Sequence, residues 1–182
     1  NVLDTTLSNV NPMLHPPSIL LNLYRVEAKF YPFSPEVGGP LCRCYDITPG
    51  MARVMEAIDE ERKAIADRLG LSLLSLKDTL KAFYGAVGRD LYETVLSVPA
   101  YQKALAPTSL NHRFVSEDVP YGLVPYSSLG KQLGVPTPVV DSMVTLACTA
   151  TGVDYWGKGL TMDRLGLSGM SAEEIVNYVE EA

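Results

Sequence analysis

The segment Ile47–Leu71, ITPGMARVMEAIDEERKAIADRLGL, constrains the fold more than any other. Thr48 is a good N-cap and Pro49 suits the first helical position, where its missing N–H costs nothing. Met51, Val54, Met55, Ile58, Ile65 and Leu69 recur at helical spacing. Gly70 then supplies the stop. The charged run Asp59-Glu60-Glu61-Arg62-Lys63 reads as the solvated face of this helix, with i,i+4 pairs. A chain built around such an element has to cover its apolar stripe, and the rest of the sequence offers more helices to do so. SLKDTLKAFYGAV opens with Ser75 and Asp78 at capping-box spacing, and RDLYETVLSV follows and stops near Pro99. TPVVDSMVTLACTATG begins at Thr137-Pro138, ends at Gly152 and is apolar over the wide arc of a buried helix. SAEEIVNYVEEA carries the full capping box Ser171 and Glu174. No sustained period-2 pattern appears. The fold class is therefore all-α, one domain over residues 1–182, with Lys29–Pro49 as a long loop rich in Pro and Gly.

The chain is long enough to bury its core without a metal or disulfide staple. Its formal net charge is -6 and no Lys/Arg block occurs, which leaves nucleic acid and anionic membrane as poor partners. No apolar run has the length of a membrane span, and the start does not read as a signal peptide. Asn1 enters at once into NVLDTTL, which suggests a chain trimmed from something longer. Three cysteines, Cys42, Cys44 and Cys148, form an odd, low set that points away from a secreted disulfide framework and toward the cytoplasm. Cys42-x-Cys44 is too tight for the usual zinc pairing, so no metal is expected even with His15 and His112 available.

Two places could carry chemistry. In NPMLHPP, His15 stands directly before Pro16 and Pro17. A residue before proline is pushed out of the α region, so a helix from about Asp4 should end there and another begin at the prolines. His15 would then sit at a junction with extended backbone. It could be a corner residue bonded to a backbone group, or an imidazole aimed into a cleft to move protons. In LNHRFVSEDVPYGLVP, His112, Arg113, Glu117 and Asp118 crowd ahead of Pro120. Arg113 could grip a carboxylate and Asp118 could orient an imidazole; a loop with local ion pairs is the plainer alternative. No G-x-G-x-x-G, phosphate loop or G-x-S-x-G elbow is present, and the Gly157–Gly159 pair reads as a turn.

NVLDTTLSNVNPMLHPPSILLNLYRVE, LNHRFVSEDVPYGLVPYSSLGKQLGVPTPVVDSMVTL and LGLSGMSAEEIV resemble, in order and spacing, the C-terminal helical domain of the opine dehydrogenases. That resemblance implies a multi-helix fold like the C-terminal domain of 6-phosphogluconate dehydrogenase. It implies an N-terminal Rossmann domain, outside this chain, binding NAD or NADP. It implies reductive condensation of an amino-acid amine with an α-keto acid such as pyruvate, on a site shared by both domains, so that this chain alone is expected to be inactive. By the same resemblance His15 is the catalytic histidine, Asp118 its aspartate, Arg113 a substrate-carboxylate anchor, and Asn11 a substrate-side neighbour of the histidine. A homodimer is compatible with the apolar helices. The rival expectation is a non-catalytic helical binding or dimerisation module that reuses the fold.

Overall fold

The computed structural model describes residues 2–28 and 43–181; most of the expected loop, and Cys42 with it, lies outside the described residues. Among the described residues no strand forms, and Arg43 and Leu105 make one isolated antiparallel bridge. The helices are α1 (Val2–Leu7), α2 (Asn11–Leu20), α3 (Leu23–Glu27), α4 (Pro49–Arg68), α5 (Leu76–Tyr84), α6 (Leu91–Ser97) and α7 (Arg113–Ser116). A π-helical turn, Val119–Leu123, leads into α8 (Val124–Leu133), followed by α9 (Pro138–Thr151), α10 (Tyr155–Lys158) and α11 (Ala172–Glu181).

Helix α4 forms as its sequence dictates: Thr48 Oγ1 accepts from the Met51 N–H, and the chain leaves through Gly70 at φ 72°. Its apolar side packs against α2, α8 and α9. Ser171 and Glu174 close the capping box of α11, whereas Ser75 caps α5 by accepting from the Asp78 N–H and donates its hydroxyl to the Asp78 carboxylate rather than offering its backbone N–H. Apolar side chains from α1, α2, α4 to α9 and α11 meet in one hydrophobic cluster. Each fully buried Leu, Ile or Met in it contributes about 1.5–3 kcal/mol.

Only part of the charged run on α4 is the solvated face expected: Glu60 is exposed and Lys63 partly so. Asp59 and Arg62 are buried, Arg62 to 1% exposure. A buried charge is tolerated only when paired and fully hydrogen-bonded, and this pair is. The Arg62 guanidinium donates to Asp59 Oδ1 and to the carbonyls of Leu7 and Leu74, and Asp59 Oδ2 accepts from the Leu76 N–H. The pair thus ties α1, α4 and the start of α5 into one unit. Glu61 is also recruited: its carboxylate accepts from the Val139 and Val140 N–H groups, at 2.8 and 2.9 Å, and caps α9. Thr137 makes no side-chain cap there and instead donates to Asp141.

Helix α2 gives the second correction. It does not end before Pro16: Pro16 and Pro17 lie inside it, and the residues from Pro12 to Leu20 are all buried. The two prolines remove the N–H groups that would reach the Pro12 and Met13 carbonyls. That cost falls on one turn of a short helix, while burial on every side, against α4, α7, α9 and the π-helical turn, favours continuing it. Asn22 finishes the helix by donating from Nδ2 to the Ser18 carbonyl.

Candidate active site

His15 is thus not at a corner but in the middle of the most enclosed helix, 5% exposed. A ring nitrogen left unpaired there would cost about 1–3 kcal/mol, and neither is. Nδ1 lies 2.7 Å from Asp118 Oδ2, and Nε2 lies 2.9 Å from the Tyr45 hydroxyl. A carboxylate only accepts, so Nδ1 carries a hydrogen and donates it to Asp118. In that tautomer Nε2 is bare and accepts from the Tyr45 hydroxyl. The ring plane is fixed by Phe114, stacked on the imidazole at 3.6 Å between centroids and 7° between planes.

Asp118 reaches the imidazole because of what surrounds it. It follows Glu117, the C-cap of α7, and opens the π-helical turn, whose wider winding is a frequent mark of functional segments. That turn lies tight on α2: a Cβ on Gly122 would stand 2.8 Å from Pro12 Cβ and closer still to its Cγ. Glycine at this position lets the segment bearing Asp118 approach the helix bearing His15. The turn also frees the Pro120 carbonyl, which accepts from the Leu160 N–H at 2.8 Å and anchors the chain beyond α10.

Asn11 is the first residue of α2, one turn before His15 and so on the same side of the helix. Arg113 is not brought to the pair. Its side chain is 59% exposed and its Nε lies 3.7 Å from Glu117 Oε2, a loose surface ion pair. His112 caps α7, accepting from the Phe114 N–H at Nδ1, and its edge meets the Phe114 ring. Burial first, then the Arg113 guanidinium and His15, lowers the His112 pKa, in keeping with a neutral ring that accepts.

Tyr45 and Phe114 are the site residues that sequence reasoning missed. Phe114 sits inside the block quoted for Arg113 and Asp118, and an aromatic between those residues was the available signal. Tyr45 carried no signal, since nothing local links it to His15. Tyr45 stacks on Tyr101 with centroids 4.0 Å apart, and Tyr101 meets Tyr84 at 5.7 Å. The rings run from the buried imidazole to Tyr84, which is 47% exposed. Burial, with Tyr101, Cys44, Tyr84 and Asp118 adding to it, raises the Tyr45 phenol well above its ordinary range, so the hydroxyl keeps its proton.

Among the described residues no three His, Cys, Asp or Glu side chains are placed to hold a metal ion together. No helix there is long and apolar enough to cross a membrane. With no strand and no glycine-rich loop behind one, the described residues do not provide the βαβ site a dinucleotide takes.

The chain is 39% identical over 180 residues to an opine dehydrogenase from Arthrobacter sp. (strain 1C), covering 99% of this chain and 48% of that protein. It is 31% identical over 172 residues to Protein ocs of Agrobacterium vitis, covering 93% and 45%. Among solved structures, octopine dehydrogenase in complex with NADH and agmatine superposes with a TM-score of 0.72 at 18% identity, covering 98% of this chain and 49% of that one. Octopine dehydrogenase with NADH and L-arginine gives 0.68, covering 92% and 47%. The all-α fold is thus that of the helical half of octopine dehydrogenase, and the chain spans about half the length of the curated relatives it matches. Residues 1–151 match the family described as NAD/NADP octopine/nopaline dehydrogenase, alpha-helical domain, and the chain belongs to that family.

Proposed function

We propose that this chain is the substrate-binding and proton-transfer half of an NAD(P)-dependent opine-type dehydrogenase, with His15 as its general acid/base. The observation that carries the reading is the His15–Asp118 hydrogen bond of 2.7 Å in a family of oxidoreductases. The overall reaction joins the amine of an amino acid to the carbonyl of an α-keto acid and reduces the resulting imine. The nicotinamide cofactor, NAD or NADP, supplies hydride from an N-terminal Rossmann domain. What this chain's residues do is hold and move a proton.

Losing the carbinolamine hydroxyl requires a proton on oxygen, and a positioned imidazole contributes about 10²–10⁴-fold to such a step. Asp118 fixes the Nδ1–H tautomer and supports the ring when it is charged. Phe114 prevents the ring from turning. Arg113 and Asn11 are the proposed contacts to the substrate carboxylates; Arg113, free to extend, needs to reach only one. A site completed by two domains makes this chain inactive alone. The test is His15→Ala in the complete enzyme, with pyruvate, a mixture of L-amino acids and either cofactor. The expected result is a kcat reduced about 10²-fold or more with the helical circular-dichroism spectrum retained; an unchanged kcat overturns the assignment.

A further inference from the structure

We infer that Tyr45 is the group through which His15 exchanges its proton with substrate, so that the relay is Asp118–His15–Tyr45 rather than a bare imidazole. The inference rests on the acid/base reading of His15. Every polar position of that imidazole is occupied: Nδ1 by Asp118 and Nε2 by Tyr45, with Phe114 covering one face. His15 and Tyr45 are both buried, to 5% and 7% exposure, and because both ring nitrogens are already bonded the imidazole offers none to a substrate oxygen. A proton on Nε2 therefore leaves through the Tyr45 hydroxyl, or Tyr45 first has to move away.

The surroundings of Tyr45 favour the first course, because the chain on both sides of it is pinned. The Cys44 N–H donates to the Ala104 carbonyl at 3.1 Å and the Cys44 thiol to the Leu105 carbonyl at 2.7 Å. Arg43 donates to Gln102 Oε1 at 2.7 Å, and Asp46 pairs with Arg25 at 2.8 Å. The Tyr45 ring itself is stacked on Tyr101. This is a fixed residue and not a flap. Its hydroxyl has one hydrogen-bond partner among the described residues, His15; when Nε2 is the donor, the phenol proton and an oxygen lone pair are left for another partner.

The step balances. The imidazolium passes its Nε2 proton to the Tyr45 oxygen while the Tyr45 O–H passes its proton to the carbinolamine hydroxyl. The C–O bond breaks with its electron pair and water leaves. The nitrogen lone pair forms the C=N bond, and the positive charge moves from imidazole to iminium. Tyr45 ends as it began, a neutral phenol, as its burial requires.

Tyr45→Phe is the test, because it keeps the ring and its stacking and removes only the oxygen. In the complete enzyme, with pyruvate and the L-amino acid that oxidises NAD(P)H fastest in a screen, kcat should fall about 10²-fold. The rate in mixed H₂O and D₂O should change from a curved dependence on deuterium fraction, two protons in flight, to a linear one. A variant that is as fast as wild type, or slow with its curved dependence intact, overturns the relay. A faster variant marks Tyr45 as a plug and also overturns it. His15→Gln, run alongside, separates the two claims: a dead His15→Gln with a normal Tyr45→Phe removes the relay and leaves the acid/base role. A second readout needs no substrate. In ¹H–¹⁵N spectra of this chain, Tyr45→Phe should move His15 Nε2 toward the position of an unbonded ring nitrogen and leave Nδ1 in place; an unmoved Nε2 counts against the contact itself.

Discussion

Gly122→Ala should weaken the candidate site by geometry alone. The added methyl would stand 2.8 Å from Pro12 Cβ and nearer still to Cγ, whereas carbon atoms rest at about 3.5–4.0 Å. The π-helical turn and α2 must therefore part by about 1 Å. Pro12 is one turn before His15 on α2, and Gly122 is one turn after Asp118 on the opposing segment. A 1 Å separation carries the 2.7 Å His15–Asp118 contact to about 3.7 Å, beyond hydrogen-bonding range. Pro12 is a ring on a buried helix and cannot swing aside as a long side chain could. Overpacking of this kind costs about 1–3 kcal/mol, which in a chain of this size lowers Tm by about 2–12 °C. The assay is paired: melting by circular dichroism, and the His15 Nδ1 proton in ¹H NMR. The substitution should lower Tm and shift or erase the hydrogen-bonded Nδ1 resonance. A variant with wild-type Tm and an unchanged resonance would refute the claim that glycine at 122 sets the approach of the two segments.

Arg62→Ala should be among the most destabilising single changes in the chain. It leaves Asp59 buried and uncompensated and frees the Leu7 and Leu74 carbonyls, a loss of about 3–5 kcal/mol, or about 6–20 °C in Tm; a loss within 1 °C contradicts the account of that knot. Glu93 predicts a pH effect. Its hydrogen bonds with Arg89 lower its carboxyl to about 2 in the folded state. A depressed acid pKa contributes stability that is complete above the unfolded value near 4.3 and is lost as pH falls through the folded one. The Tm difference between wild type and Glu93→Gln should therefore be constant above about pH 5 and shrink toward pH 2. A difference that grows on acidification has the wrong sign.

Much of the helical framework is written locally and was legible. Thr48, Ser75 with Asp78, and Ser171 with Glu174 act as caps where their spacing put them, because a cap's partner lies within one turn. Gly70 and Gly152 adopt the left-handed conformation at helix ends, at φ 72° and 70°. What could not be read depends on partners far along the chain. The charges on α4 look solvated in a helical projection; that Asp59 and Arg62 are enclosed follows from the carbonyls of Leu7 and Leu74, which no local pattern supplies. Pro16 and Pro17 argued for a break because the rule for proline is local, while the burial that carries α2 through them is not. The site shows the same division. His15 and Asp118 were visible through whole-segment resemblance, but Tyr45 meets His15 thirty residues away with no motif to announce it. Arg113 was read as a carboxylate anchor through the same resemblance; in this chain its side chain lies exposed beside Glu117 and does not touch the His15–Asp118 pair.

The double-mutant cycle on His15 and Asp118 in the complete enzyme tests the central claim most directly. If Asp118 acts only through the imidazole it orients, His15→Gln and Asp118→Asn should each lower kcat by about 10²–10⁴-fold, and the double variant should be no slower than His15→Gln alone. Losses that multiply would mean that the two residues work independently, and a His15→Gln enzyme at wild-type rate would remove the imidazole from the chemistry.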